Sequence, residues 1–277
     1  MGWRGYIHED SETVFFWSQK AACTTLFGFL ADNMAERPPR KKYFHTHSKP
    51  YQHCMAAIRD RGYRSVILAR HPVTRIISAY FNKFCVYRGE RLLSRADLEP
   101  FARDLHDLYC ARQGIAAEDN VISFEAFLDT VARMHADRPR PRLPINGHWE
   151  TQVPPFHARL GLRYDRVVHV ENLDAEMGAL ADELGMVYIP KAMNRTELPP
   201  APTAAYLGQV PAREVSGMDF GYDNFITPRT LARIHAIYAV DFEVLGYPAP
   251  EHVEAPRTAL ARSWQKIRHY SARITGK

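Results

Sequence analysis

Residues 65–69, Ser-Val-Ile-Leu-Ala, form an unbroken apolar run that Arg70-His71-Pro72 cuts off. A strand with one wet face alternates apolar and polar residues; a continuous run fits a strand covered on both faces, as in a parallel sheet between helix layers. The proline then stands in the favoured first turn of a helix, and a helical segment is expected through about Tyr87. Two other segments repeat this order. Residues 13–18 are a short, aromatic-rich run followed, after a polar hinge, by a helical pattern over 24–36 that stops before Arg37-Pro38-Pro39. Residues 166–170 lead into an amphipathic run from Leu173 to Leu184, closed by Gly185. Strands alternating with helices mean an α/β chain built on a parallel sheet flanked by helices.

Further helices are expected over 94–112, charged and on the surface, over 124–134, and over 228–245, where Leu231, Ile234, Ile237, Tyr238 and Phe242 share a face. The alternation Arg138-Pro139-Arg140-Pro141-Arg142 marks a loop, and the small, proline-rich stretch 198–218 reads as a long, mobile one. With no internal repeat, residues 1–250 read as a single domain and 251–277 as a basic amphipathic tail, which has six basic residues and no acid from Pro256 onward. Such a tail can lie on an anionic membrane surface, making peripheral membrane contact, or dock on the domain as a terminal helix, the plainer account.

Thirty-six basic residues are interspersed with 31 acidic ones for a net charge of +5, which suits anionic ligands better than a nucleic-acid coat. Cys23, Cys54, Cys85 and Cys110 are far apart with no C-x-x-C pair, so free thiols in a reducing compartment are expected. The N-terminus is too polar for a signal peptide and no run approaches membrane-spanning length, so the chain is expected to be cytoplasmic.

The stretch Val14–Leu30, VFFWSQKAACTTLFGFL, carries the first chemistry. A phosphate cradle needs backbone N–H groups at a helix N-terminus, a cation above them and hydroxyl donors. Lys20 supplies the cation and Thr24 and Thr25 the hydroxyls, while Ala21, Ala22 and Cys23 are small enough to let an anion reach the main chain. The Walker A pattern is absent, since the lysine precedes the small residues and the only nearby glycine, Gly28, falls inside the expected helix. Packing alone explains these letters equally well until the second segment is considered. Arg70 leaves the C-terminal end of a strand, where open α/β sheets bind ligands, and Ser78 lies about two helical turns on, able to share one phosphate with it.

Together, K-x-[AG]-x-T-[ST] at Lys20–Thr25 and R-[DE]-P-x-x-R-x-x-S-x-Y at Arg70–Tyr80 resemble the paired nucleotide motifs of sulfotransferases that use 3′-phosphoadenylyl sulfate (PAPS). The likeness is to the carbohydrate branch (sulfotransferase family 2, chondroitin and HNK-1 type), related to heparan-sulfate 2-O-sulfotransferases. Tyr80–Phe84, Gly147–Gln152, Tyr164-Asp165 with Glu171–Leu173, and Ile237–Phe242 with Gly246-Tyr247 resemble the family's S-A-Y-x-N-K-F, H-W-x-x-Q, Y-D…E-x-L and I-Y-x-x-D-F…G-Y, in order. The resemblance implies a single P-loop-like sulfotransferase domain. It also implies that Lys20 with Ala22, Cys23, Thr24 and Thr25 holds the phosphosulfate, that Arg70 and Ser78 grip the 3′-phosphate, and that Arg195 and Thr196 lie in a loop over the nucleotide. His71 departs from the pattern, where an acid is usual; that acid is read as a local structural partner.

An acceptor hydroxyl needs a base, and a histidine suits neutral pH. In Tyr43-Phe44-His45-Thr46-His47 an extended backbone would send both imidazoles into one site, with His47 as base and His45 as support or the reverse. This H-x-H also resembles the base-bearing segment of the 2-O-sulfotransferase relatives. His148 is the other candidate base or, with Trp149, an acceptor contact. His45, His47, His53 and Cys54 fit no standard zinc spacing, and the reaction needs no metal. The expected acceptor is a hydroxyl of a carbohydrate or lipid-linked sugar. The alternatives are a lipid or small metabolite, a nucleotide kinase with a degenerate loop, and a non-catalytic PAP(S)-binding protein at a membrane surface.

Overall fold

In the computed structural model, which describes residues 3–36, 42–139, 144–157, 161, 163–190 and 203–250, the chain enters through a hairpin that its polar first residues conceal. Strand β1 (Arg4–His8) pairs antiparallel with β2 (Thr13–Trp17), with Gly5 opposite Phe16. Glycine is required at that crossing: a Cβ on Gly5 would stand 2.9 Å from the Cys54 sulfur and 3.1 Å from the Phe16 ring.

The chain continues through α1 (Cys23–Asp32), α2 (Lys42–His47), the two-residue β3 (Lys49–Pro50), α3 (Tyr51–Arg61), β4 (Arg64–Ala69) and α4 (Pro72–Tyr80). Helix α4 is shorter than expected. It passes into a π-helical turn, Phe81–Cys85, and then a small hairpin of β5 (Val86–Tyr87) and β6 (Glu90–Arg91). Helix α5 (Pro100–Gln113) is less superficial than its charge suggests, burying Ala102, Leu105, His106 and Cys110. Then come α6 (Phe124–Ala136), β7 (Arg166–His169), α7 (Leu173–Leu184), α8 (Ala212–Val215) and α9 (Pro228–Leu245). The expected loose loop at 198–218 is otherwise over its described part, 203–218: Leu207, Ala212 and Val215 are core residues there.

The main sheet has the order β3-β1-β2-β4-β7. Strands β2, β4 and β7 are mutually parallel, as the apolar runs required, and β1 is the antiparallel insertion. Both faces are covered with period two. Phe15, Val66, Leu68 and Val168 pack with residues of α1 and α7, whereas Val14, Phe16, Ile67 and Ala69 pack with Tyr51, Cys54 and Ala57 of α3 and Leu245 of α9. A third cluster, centred on Tyr80, Phe84, Phe124, Phe127 and Trp149, joins α4, α6 and α9. Phe81 and Phe84 anchor the π turn in it, since fully burying one phenylalanine contributes about 2–3 kcal/mol. All four cysteines are free. Among the described residues no helix is long and apolar enough to cross a membrane. The tail, 251–277, lies outside them.

Candidate active site

The parallel strands β2 and β4 end side by side, and each delivers a cation into the same cleft of about 1840 Å³. After β2 the chain reverses through Lys20 (φ 67°) and Ala22 (φ 50°), both left-handed, before α1 begins at Cys23. This explains a phosphate-type turn without glycine. A lysine and an alanine adopt the glycine conformation, at a cost of about 1–2 kcal/mol each. Ala22 is the N-cap of α1 and no side chain caps the helix, which leaves its positive end open to the cleft that Ala22, Cys23, Thr24 and Thr25 line. Lys20 shares that cleft. Burial, followed by the charges of Lys83 and Arg70, pushes its ammonium down from 10.5 to about 8.

Arg70 stands one residue beyond β4 and is held at both backbone groups by one side chain. Its N–H donates to Gln152 Oε1 (2.9 Å), and its carbonyl accepts from Gln152 Nε2 (2.8 Å). Gln152 is anchored in turn by Asp241, which accepts the Gln152 and Val153 amides at 2.9 and 3.0 Å. Burial raises the Asp241 carboxyl to about 6, against the pull of Arg75. The Arg70 guanidinium donates to the Lys20 carbonyl (3.1 Å), the Tyr222 hydroxyl (2.9 Å) and Thr74 Oγ1 (3.3 Å). All three acceptors are neutral. Arg70 therefore locks the two motif segments together while its charge has no carboxylate partner among the described residues. Ser78, one wall of the same cleft, is 1% exposed.

His71, the departure from the family pattern, has a structural task. Its ring Nδ1 accepts the Val73 amide (3.3 Å) to cap α4, and its backbone N–H donates to Glu171 Oε1 (2.8 Å).

The H-x-H expectation fails. Lys42–His47 is helical, so residues two apart diverge by roughly 200° instead of aligning. His45 faces the cleft, packed edge-on to Phe27, and burial lowers its proton affinity. His47 turns away: it is exposed, stacked on Tyr43 at 3.9 Å, with Nδ1 at 2.9 Å from the Tyr43 carbonyl.

His148 and Trp149 part company as well. His148 lines the cleft, its ring stacked on Phe101 at 4.8 Å and 9°, with Nδ1 at 2.9 Å from Asn146 Oδ1. An oxygen acceptor there fixes the proton on Nδ1 and leaves Nε2 with its lone pair. Burial, then Lys83, Lys20 and Arg75, push the imidazole down to about 3. Trp149 is 1% exposed and packs on Phe84, Phe101 and Phe127, so it is a core residue and no acceptor contact.

Lys83, Gln152 and Asp241 were not picked out for chemistry, although each sat inside a matched motif; that membership was the available signal. Arg195 and Thr196 lie outside the described residues. Among the described residues no group of three or more His, Cys, Asp or Glu side chains is placed to hold a metal. The cleft exceeds the roughly 300–1,000 Å³ of a single small-molecule pocket, leaving room for a nucleotide and a second molecule.

Residues 6–248 match the family model described as "Sulfotransferase family". Similar curated proteins are carbohydrate sulfotransferase 11 of Rattus norvegicus and of Mus musculus, each 22% identical over 263 residues that span 90% of this chain and 68% of the relative. No solved structure matches significantly.

Proposed function

The chain belongs to the sulfotransferase family, and from that premise we propose that it moves a sulfuryl group from PAPS to a hydroxyl of a carbohydrate acceptor. The observation that carries the proposal is the cationic pair at the strand ends: Arg70 hydrogen-bonded to the Lys20 carbonyl, neither side chain with a carboxylate partner among the described residues. Two unneutralised cations in a half-buried cleft call for an anion with more than one charge. A nucleotide with phosphate at 3′ and phosphosulfate at 5′ supplies it. In this reading Arg70 and Ser78 take the 3′-phosphate, and Lys20 with the open end of α1 takes the phosphosulfate. The carbohydrate acceptor is supported by the similarity to proteins named carbohydrate sulfotransferase 11.

For the base the arrangement favours His148 over His47. Its neutral ring offers Nε2 to the cleft, and the charge of Lys20 reaches it. In the transfer step the acceptor oxygen forms a bond to sulfur while the bond from sulfur to the bridging phosphate oxygen breaks, its electron pair leaving with the nucleotide. The acceptor proton passes to His148 Nε2. Burial is the main cause of its low proton affinity, and the donor's negative charge, by offsetting the Lys83 and Lys20 fields, removes part of the remainder and strengthens the base.

Thermal-shift titration tests the donor assignment. PAP should stabilise the protein far more than AMP, and Arg70→Ala should remove most of the difference. Equal responses to PAP and AMP, or an Arg70→Ala protein that responds to PAP like wild type, would refute it.

A further inference from the structure

Among the described residues Lys83 is the one buried lysine, 6% exposed, and it is not in a structural interior but on the wall of the cleft. The π-helical turn Phe81–Cys85 puts it there. Phe81, Phe84 and Cys85 enter the core, while Lys83 between them reaches the cleft. Such wide turns within helices concentrate at functional positions. Its ammonium pairs with Glu99, which is 34% exposed, and lies 4.6 Å from the centre of the Tyr87 ring and 5.4 Å from that of Phe101. Phe101 also stacks on the His148 ring. Lys83 is also the leading charge acting on both Lys20 and His148. Lys83 and Lys20 line the same cleft and their charges repel, with Glu99 the ion-pair partner of Lys83.

We propose that Lys83 is a catalytic cation of the sulfuryl-transfer site, acting with Lys20 on the group in flight, a reading that rests on the proposed reaction. As the acceptor oxygen bonds to sulfur and the bond to the phosphate oxygen breaks, negative charge leaves the sulfuryl oxygens and gathers on the departing phosphate, and the acceptor proton goes to His148. Two fixed ammonium groups stabilise that charge throughout, so that one need not be rearranged for the other to act. The Tyr87 and Phe101 rings flank the Lys83 ammonium, and the partly exposed Glu99 balances its charge before the donor arrives.

A purely structural role for the Lys83–Glu99 pair predicts that breaking it from either side has the same effect; a catalytic cation predicts that only loss of the ammonium matters. Lys83→Met, Lys83→Arg and Glu99→Gln separate the two. The readouts are PAP affinity by thermal shift and release of PAP from PAPS, with neutral and uronate-bearing polysaccharides and with water alone as acceptors. Lys83→Met should lose about 10²–10³ in kcat while PAP affinity falls by less than about tenfold, the scale seen when one preorganised transition-state donor is removed. Lys83→Arg should recover at least about tenfold of that loss, and Glu99→Gln should stay within about fivefold of wild type, the size of a partly exposed ion pair. Lys83→Met with normal kcat, Glu99→Gln as crippled as Lys83→Met, or a loss confined to PAP affinity would overturn the assignment. Should Lys83→Met not fold, Lys83→Gln takes its place with the same expected loss of turnover, and a folded Lys83→Gln with normal kcat overturns the proposal. A wild-type protein indifferent to PAP sinks the reaction and the Lys83 role together, whereas a PAP-responsive protein that survives Lys83→Met sinks Lys83 alone.

Discussion

Lys20→Met should make the ligand-free protein more stable and the PAP response vanish. The ammonium falls from an ordinary 10.5 to about 8 because burial and the neighbouring Lys83 and Arg70 penalise its charged form. Each tenfold loss of proton affinity is worth about 1.4 kcal/mol, so keeping Lys20 charged costs up to about 3 kcal/mol at neutral pH. Partial exposure and local relaxation reduce the gain on removing it to about 1–2 kcal/mol. Methionine keeps the stem's packing without the charge. For a chain of this size that corresponds to a rise of roughly 2–4 °C in Tm. The pH dependence has a definite sign. Below about 8 the lysine is charged folded or unfolded and the full penalty applies. Between about 8 and 10.5 the folded protein has released the proton that the unfolded chain still holds, so raising the pH favours the folded state. The gap between variant and wild type should therefore close across that window. Thermal unfolding of both proteins from pH 7 to 10.5, with and without PAP, measures it. An Lys20→Met protein less stable than wild type at pH 7, or a gap that does not change with pH, would refute the claim that Lys20 is held charged against its surroundings for an anion.

Two other expectations follow from side-chain placement. His148→Ala should abolish transfer, a loss of about 10²–10⁴ for a general base, with PAP binding intact, while His47→Ala should turn over like wild type; steady-state assay of PAP release distinguishes them, and the reverse pattern would restore His47 as the base. Ala22→Gly should raise unfolding stability by about 1 kcal/mol, because glycine takes the left-handed conformation at φ 50° without strain; a destabilised variant in chemical denaturation would mean that the turn is not strained at that residue.

How far the letters speak for the structure differs from segment to segment, for physical reasons. The runs at 13–18, 65–69 and 166–170 were readable because a strand buried on both faces leaves no room for polar residues, and β2, β4 and β7 are those strands. Strand β1 was not, because it buries only Gly5 and His8, neither of which signals a strand. Lys20 and Arg70 could be named from motif spacing, but their connection could not, since a side chain reaching a main-chain carbonyl 50 residues away leaves no trace in the residue pattern. The H-x-H segment failed over period. Six residues with one buried position, Phe44, are compatible with either a strand or a helix turn, and the two send His47 in opposite directions. A helical clue was present in Tyr43 and His47, an aromatic pair four apart whose stacking is a helix contact.

The matched motifs carry a more general point about roles. Residues that recur together in a family pattern need not touch the same thing. In the H-W-x-x-Q segment His148 meets the cleft, Trp149 fills the core behind it, and Gln152 grips the backbone of Arg70, 82 residues earlier in the chain. Asp241 stands one step farther back, holding Gln152 and Val153 through their amides. From the cleft inward the order of contact is therefore Arg70, Gln152, Asp241, with each link fixing the one before it. A cation whose guanidinium is only partly held by neutral groups needs such support, because positioning contributes to transfer only if the charge does not move when the anion arrives. That requirement explains why polar residues persist in the buried interior between β4 and α9, where apolar packing alone would be more stable. Lys83 stands apart from these supports: it lines the cleft itself, and its partner is the partly exposed Glu99 rather than a buried chain of amides.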